Sequence, residues 1–198
     1  VGVDNIDLEA AKRHGVVVAN APGTNSQSVA DMAFLLILAC ARGLPILLEQ
    51  VKNKVWSSPF LGVELEDKVL GIVGLGRIGK EVGKRGQGFG MKVIYYDPVV
   101  EDKEFTSVSL EDLFKSADFV SLHAPLTKDT EKMVGEKLLS LMKEEAFLIN
   151  TARGELVDEE TLYRFLQEKR IKGAALDVLT FEPPFESPLL SLPNVIVT

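Results

Sequence analysis

Between an apolar, β-rich run at Lys68–Gly74 and an amphipathic helical pattern at Arg77–Phe89 stands the segment Gly74-Leu75-Gly76-Arg77-Ile78-Gly79. This feature constrains the chain most. The first glycine permits a tight turn, the second lets backbone approach a pyrophosphate, and the third lets the helix pack closely on the strand. The helix N-terminus then stabilises the negative charge. The next β-rich run closes on Tyr95-Tyr96-Asp97-Pro98, which sets Asp97 about 20 residues beyond the glycines, where a carboxylate receives the adenosine ribose hydroxyls. There it also repels a 2′-phosphate, and no basic pair follows in Asp97-Pro98-Val99-Val100-Glu101-Asp102. NAD rather than NADP is therefore expected, on Gly74, Gly76, Arg77, Ile78, Gly79 and Asp97. The bland alternative for Asp97 is a strand-end turn residue before proline.

Around this fingerprint, short apolar runs alternate with helical patterns. The runs are Lys68–Gly74, Lys92–Tyr96, Asp118–His123, Ala146–Asn150, Gly173–Val178 and Val195–Thr198. Helical patterns at Arg77–Phe89, Leu110–Ser116, Gly135–Met142 and Asp158–Lys169 fall between them. That alternation predicts an α/β fold with a doubly wound, parallel, six-stranded sheet covered on both faces. The first sixty residues read differently. Asp7–His14 suggests a short helix, and Val16–Ala19 a strand. Thr24-Asn25-Ser26-Gln27 suggests a capping-box start to a long apolar helix through Arg42, ended or bent by Gly43 and Pro45.

With 198 residues and a formal net charge of −7, the chain offers no electrostatic reason to seek nucleic acid or an acidic membrane surface. Its single cysteine, Cys40, rules out an intrachain disulfide and reads as a small buried hydrophobe. The apolar stretch Met32–Ala41 is too short to cross a bilayer. With no signal peptide visible, the cytoplasm is the expected compartment. The chain opens at Val1 and closes on a strand-like run, as an excised piece of a longer protein would.

Further segments fit one pattern: Val3-Asp4-Asn5-Ile6-Asp7, Asn20-Ala21-Pro22-Gly23, His123-Ala124-Pro125-Leu126-Thr127, Ile149-Asn150-Thr151-Ala152-Arg153-Gly154, Ala175-Leu176-Asp177-Val178 and Glu182-Pro183-Pro184. With the fingerprint, and in this order, they make the chain resemble the D-isomer-specific 2-hydroxyacid dehydrogenases over essentially its whole length. Within that family, Trp56, Phe60-Leu61-Gly62-Val63-Glu64-Leu65 and Tyr96-Asp97-Pro98 look most like the phosphoglycerate branch. The resemblance implies a catalytic Arg153 that holds a substrate carboxylate and polarises the keto oxygen. It implies a Glu182 that pairs with a catalytic histidine, and an Asp177 that meets the nicotinamide amide. It also adds His123, Pro125, Thr151, Ala152 and Arg153 to the cofactor contacts. Residues 1–23 would be a remnant of the substrate domain and 24–198 the dinucleotide-binding domain.

The family's catalytic histidine has no counterpart, because the only histidines are His14 and His123. The chain alone is therefore expected to bind NAD without turning over. The parent protein would pass a hydride between a D-2-hydroxy acid and NAD, with 3-phosphoglycerate as first substrate and glyoxylate or hydroxypyruvate as alternatives. A non-enzymatic, NAD-sensing corepressor-like role is the rival of a different class. Family members pair through this domain, so a homodimer is expected. Ala33, Leu36, Ile37 and Cys40, at helical spacing, would form its seam.

Overall fold

The computed structural model describes residues 2–3, 6–56 and 61–198. Asp4 and Asn5 of the first family segment, and Phe60 of the segment at 60–65, lie outside the described residues. Seven strands form one parallel sheet: β1 (Val69–Val73), β2 (Lys92–Tyr96), β3 (Thr106–Ser107), β4 (Phe119–Leu122), β5 (Phe147–Asn150), β6 (Gly173–Leu176) and β7 (Val195–Val197). Their order is β3-β2-β1-β4-β5-β6-β7. The order reverses between β1 and β4, which is where a doubly wound sheet leaves a crevice at its carboxyl ends. Six of these strands coincide with the expected runs. The seventh, β3, spans two exposed residues at the sheet edge and gave no periodic signal to read.

Burial explains why the central strands read as continuous apolar runs. In β4, β5 and β6 every residue is buried, because helices cover both faces. One face holds Ile72, Phe119, Ile149 and Ala175 beneath α2 (Ser26–Arg42) and α4 (Arg77–Gly88). The other holds Val120, Leu148 and Ala174 beneath α5 (Leu110–Ser116), α6 (Glu136–Leu139) and α7 (Glu159–Gln167). Side-chain caps start two of these helices: Ser109 accepts from the Asp112 amide and Asp158 from the Thr161 amide. The recurrence of glycines in α4 also has a packing reason. A Cβ at Gly83 would lie 2.7 Å from Phe105 Cζ, and one at Gly86 2.7 Å from Leu70 Cδ2, whereas one at Gly88 would meet nothing within 4 Å.

Three sequence expectations are corrected. The run Val16–Ala19 joins no sheet, and Val17 is 90% exposed. None of the described residues up to Gly23 is buried, so β-propensity there has no ladder to satisfy it. The capping box at Thr24–Gln27 does not form. Helix α2 starts at Ser26 behind Asn25, which makes no side-chain cap. Thr24 Oγ1 donates instead to the Ala21 carbonyl, and Gln27 Oε1 accepts from Arg85 of α4. A tertiary partner has displaced the local one. Finally, Ala33, Leu36, Ile37 and Cys40 do not form an open seam. All four are buried inside the chain against the sheet and α4, and burial pushes the Cys40 thiol up to about 12. Helical spacing marks a buried face without saying what buries it.

Gly43 caps α2 in the left-handed conformation, φ 58°, and Pro45 sits in the first turn of α3 (Leu44–Lys52). Among the described residues no single helix is long and apolar enough to cross a membrane. The α2–α3 pair approaches that length only together, with a 63° bend between them.

The glycines of α4 separate two roles. Gly83→Ala is expected to destabilise the fold by about 1–3 kcal/mol through overpacking. Gly88→Ala should stabilise it by up to about 1 kcal/mol through helix propensity. Urea unfolding of the two variants compares them directly.

Candidate functional site

The crevice is built where two backbones nearly touch. Gly74 follows β1 with φ 92°, and a Cβ on it would lie 2.7 Å from the Ala124 nitrogen beyond β4. Only glycine satisfies both demands. The seam is closed by His123 N–H donating to the Val73 carbonyl at 2.7 Å, and by Gly74 N–H donating to the Tyr96 carbonyl at 2.8 Å. On the helix side, a Cβ at Gly79 would fall 2.2 Å from the Gly74 carbonyl oxygen, so α4 packs directly on the turn. Gly76 is different. A Cβ there would meet nothing within 4 Å. It faces an open cleft of about 320 Å³ lined by Pro22, Gly23, Asn25, Ser26, Gly76, Arg77, Ile78 and His123. The three glycines thus divide into two that packing requires and one that leaves room for a ligand.

Asp97, at the end of β2, ties the turn to the strand. Its Oδ2 accepts from the Leu75 amide at 2.8 Å, and its Oδ1 accepts from the amides of Val99 and Val100, both at 2.9 Å. Partial burial raises its pKa, but the three N–H donors more than reverse this and hold the carboxyl below its usual range. The loop beyond it is pinned by Asp102, which pairs with Lys80 of α4 at 2.8 Å and donates its amide to Tyr95 Oη at 2.9 Å.

Pro125, Thr151, Ala152, Arg153 and Asp177 follow the carboxyl ends of β4, β5 and β6. Asn150, the last residue of β5, is buried and shapes the turn that follows. Its Nδ2 donates to the Arg153 carbonyl at 2.8 Å and its Oδ1 accepts from the Ala152 amide at 3.0 Å. Arg153 Nη1 donates to the Ala152 carbonyl. The Thr151 hydroxyl is buried without a partner among the described residues, a group that a bound ligand could satisfy. Asp177 Oδ1 accepts from Thr198 Oγ1 at 2.9 Å.

Glu182 stands on an exposed loop, where its Oε1 accepts from the Leu179 amide at 3.2 Å. Gly154 draws that loop to the Arg153 turn. A Cβ on Gly154 would lie 2.0 Å from the Leu179 carbonyl carbon. Glu159 Oε1 fastens the same loop by accepting from the Thr180 amide at 2.6 Å. Asn150 and Gly154 stand in one of the family segments without an assigned role, and Glu159 stands in none, since each acts through a contact that only folding creates. The available signal was an amide residue closing an otherwise apolar strand.

The His123 ring borders the cleft, with Nε2 2.8 Å from Ser121 Oγ, and burial pushes its pKa down to about 4. The other histidine, His14, caps the exposed end of α1 (Leu8–Arg13). Among the described residues no group of His, Cys, Asp and Glu could hold a metal ion.

Comparison with known proteins places this geometry among relatives. Residues 34–198 match the sequence profile of the "D-isomer specific 2-hydroxyacid dehydrogenase, NAD binding domain" family. The whole chain is 47% identical to a D-3-phosphoglycerate dehydrogenase of Methanocaldococcus jannaschii and covers 39% of its length. It is 46% identical to a glyoxylate reductase of Thermococcus litoralis, again over the whole chain and over 63% of that protein. Its fold superposes on D-lactate dehydrogenase from Aquifex aeolicus, solved with NAD and lactic acid, with a TM-score of 0.89 and 36% identity, covering 100% of this chain and 66% of that one.

Two outcomes are expected. Gly154→Ala should destabilise by more than about 3 kcal/mol, because the three atoms its Cβ would meet, Leu179 C and O and Thr180 N, are all backbone, measured by urea unfolding. For His123, the unfolded ring binds a proton near pH 6.5 and the folded ring only near pH 4. Its contribution to stability is therefore complete above pH 6.5 and falls as the pH drops toward 4. Unfolding of a His123→Asn variant over that range should show a shallower decline.

Proposed function

Because the chain belongs to the D-isomer-specific 2-hydroxyacid dehydrogenase family, as its NAD-binding domain, we propose that it serves a protein oxidising a D-2-hydroxy acid, with 3-phosphoglycerate as the substrate. The observation that carries the cofactor reading is the turn at Gly74–Gly79. Its first and third glycines are locked by backbone contacts, while Gly76 opens onto the cleft. Gly76, Arg77 and Ile78 would hold the pyrophosphate at the start of α4. Asp97 would receive the adenosine ribose. Thr151, Ala152 and Asp177 would line the nicotinamide end, with Pro125 and His123 at the carboxyl end of β4. Bound NAD would supply the hydride acceptor.

The remaining work falls to this chain's own side chains. Arg153, on the turn shaped by Asn150, would hold the substrate carboxylate and polarise the oxygen at the reacting carbon. Glu182 would orient an imidazole that the chain does not itself contain. His14 caps α1 and His123 pairs with Ser121, and neither is assigned the role of proton donor. Residues 1–23, with no buried side chain among those described, would belong to the substrate domain. The likeness to both a phosphoglycerate dehydrogenase and a glyoxylate reductase makes glyoxylate the competing substrate.

A second copy of the chain is the proposed partner. With the α2 face spent internally, the open apolar surface is α3, where no residue is buried, and the arm beyond it, where Trp56 is 90% exposed. Leu44, Leu48 and Val51 are exposed on α3. Static light scattering should give a dimer mass, and Leu48→Glu should shift it toward monomer. A monomer mass for the unaltered chain would remove this proposal.

Calorimetric titration with NAD and NADP tests the cofactor reading. NAD should bind at least about tenfold tighter, and Asp97→Asn should narrow that preference. Asn is the better replacement because Ala would also strip the partners of Leu75, Val99 and Val100. No NADH should form when the chain alone is given NAD and 3-phosphoglycerate.

A further inference from the structure

Ser121 sits where a hydroxyl is least expected. It lies in the middle of β4 at 0% exposure, paired in register with Ile72 of β1 and Ile149 of β5. That face of the sheet also holds Phe119 and Ala175. A hydroxyl there costs free energy unless it is hydrogen-bonded, and its partner is Nε2 of His123 at 2.8 Å. The other ring nitrogen, Nδ1, has no partner among the described residues, and the ring lines the cleft onto which Gly76 opens.

We propose that Ser121 is a positioning residue of the cofactor site: its hydroxyl donates to His123 Nε2 and so makes Nδ1–H a fixed, uncharged donor to the dinucleotide's pyrophosphate. Phosphate oxygens only accept hydrogen bonds, so the ring can serve them only as a donor. A neutral imidazole that carries its proton on Nδ1 has a bare, accepting Nε2. A hydroxyl can donate to that nitrogen, and an alanine or valine cannot. Burial keeps the ring neutral, so the second N–H of an imidazolium is not available to do the same work. The inference rests on the cofactor reading proposed above and adds to it the tautomer and the residue that selects it.

The test uses the 198-residue chain and its Ser121→Ala variant. Nitrogen-15 NMR reads the His123 tautomer, and titrations with ADP-ribose and with adenosine separate phosphate contacts from nucleoside contacts. The unaltered chain should carry the Nδ1–H tautomer, a reading that needs no variant. In Ser121→Ala that preference should be lost, and ADP-ribose should bind about tenfold or more weakly, with adenosine binding unchanged. An Nε2–H tautomer in the unaltered chain overturns the proposal. So does a variant that keeps ADP-ribose affinity, or one that loses affinity for both ligands equally alongside a lowered melting temperature. If the unaltered chain binds no ADP-ribose, the cofactor reading fails as well. If it binds and the variant matches it, only the role of Ser121 fails.

Discussion

The site depends on the contact between two backbones at the carboxyl ends of β1 and β4. The Gly74 turn must pass so near Ala124 that a methyl group there would lie 2.7 Å from the Ala124 nitrogen, while His123 N–H bonds the Val73 carbonyl beside it. Widening that seam would move the start of α4, because Gly79 rests on the Gly74 carbonyl. It would also move the leucine amide that Asp97 holds. The cleft is therefore defined by close packing around it, and the open side of Gly76 is the space that packing leaves.

Asp97 shows how the fold can fix a carboxylate before any ligand meets it. Three backbone amides hold it ionised and fix its direction. The ribose contact proposed for it would then be made by a group already oriented, with little ordering cost on binding. The same economy appears on the opposite side of the crevice. Asn150 uses both ends of its amide to shape the Arg153 turn, and Gly154 lets the Glu182 loop rest against that turn. Two residues proposed for chemistry are thus held by neighbours with no chemistry of their own.

Most of the fold was legible because parallel strands buried on both faces must be continuous apolar runs, and these stand out in one dimension. The glycine turn and Asp97 were legible for a related reason: their spacing reflects local backbone geometry. Arg153, Asp177 and Glu182 are proposed for the site only through resemblance, since an arginine or acid after a strand carries no local mark of a role. Two failures in the N-terminal region share a cause. Thr24–Gln27 matches a capping box and Val16–Ala19 a strand, yet Gln27 is taken by Arg85 and the strand has no neighbour.

By itself the sequence determined the α/β class, the parallel sheet, the position of the glycine turn after β1 and the identity of its glycines. Each of these follows from periodicity or backbone conformation within a few residues. Only the tertiary structure decided that the apolar face of α2 is buried inside the chain, and that Gly83 and Gly86 make room for Phe105 and Leu70. It alone decided that Ser121 answers the His123 ring and that Gly154 joins two loops. Apart from the Ser121–His123 pair, these contacts join residues far apart in the chain. Which partner meets a side chain is set by how helices and strands stack, a choice that no local window of sequence contains.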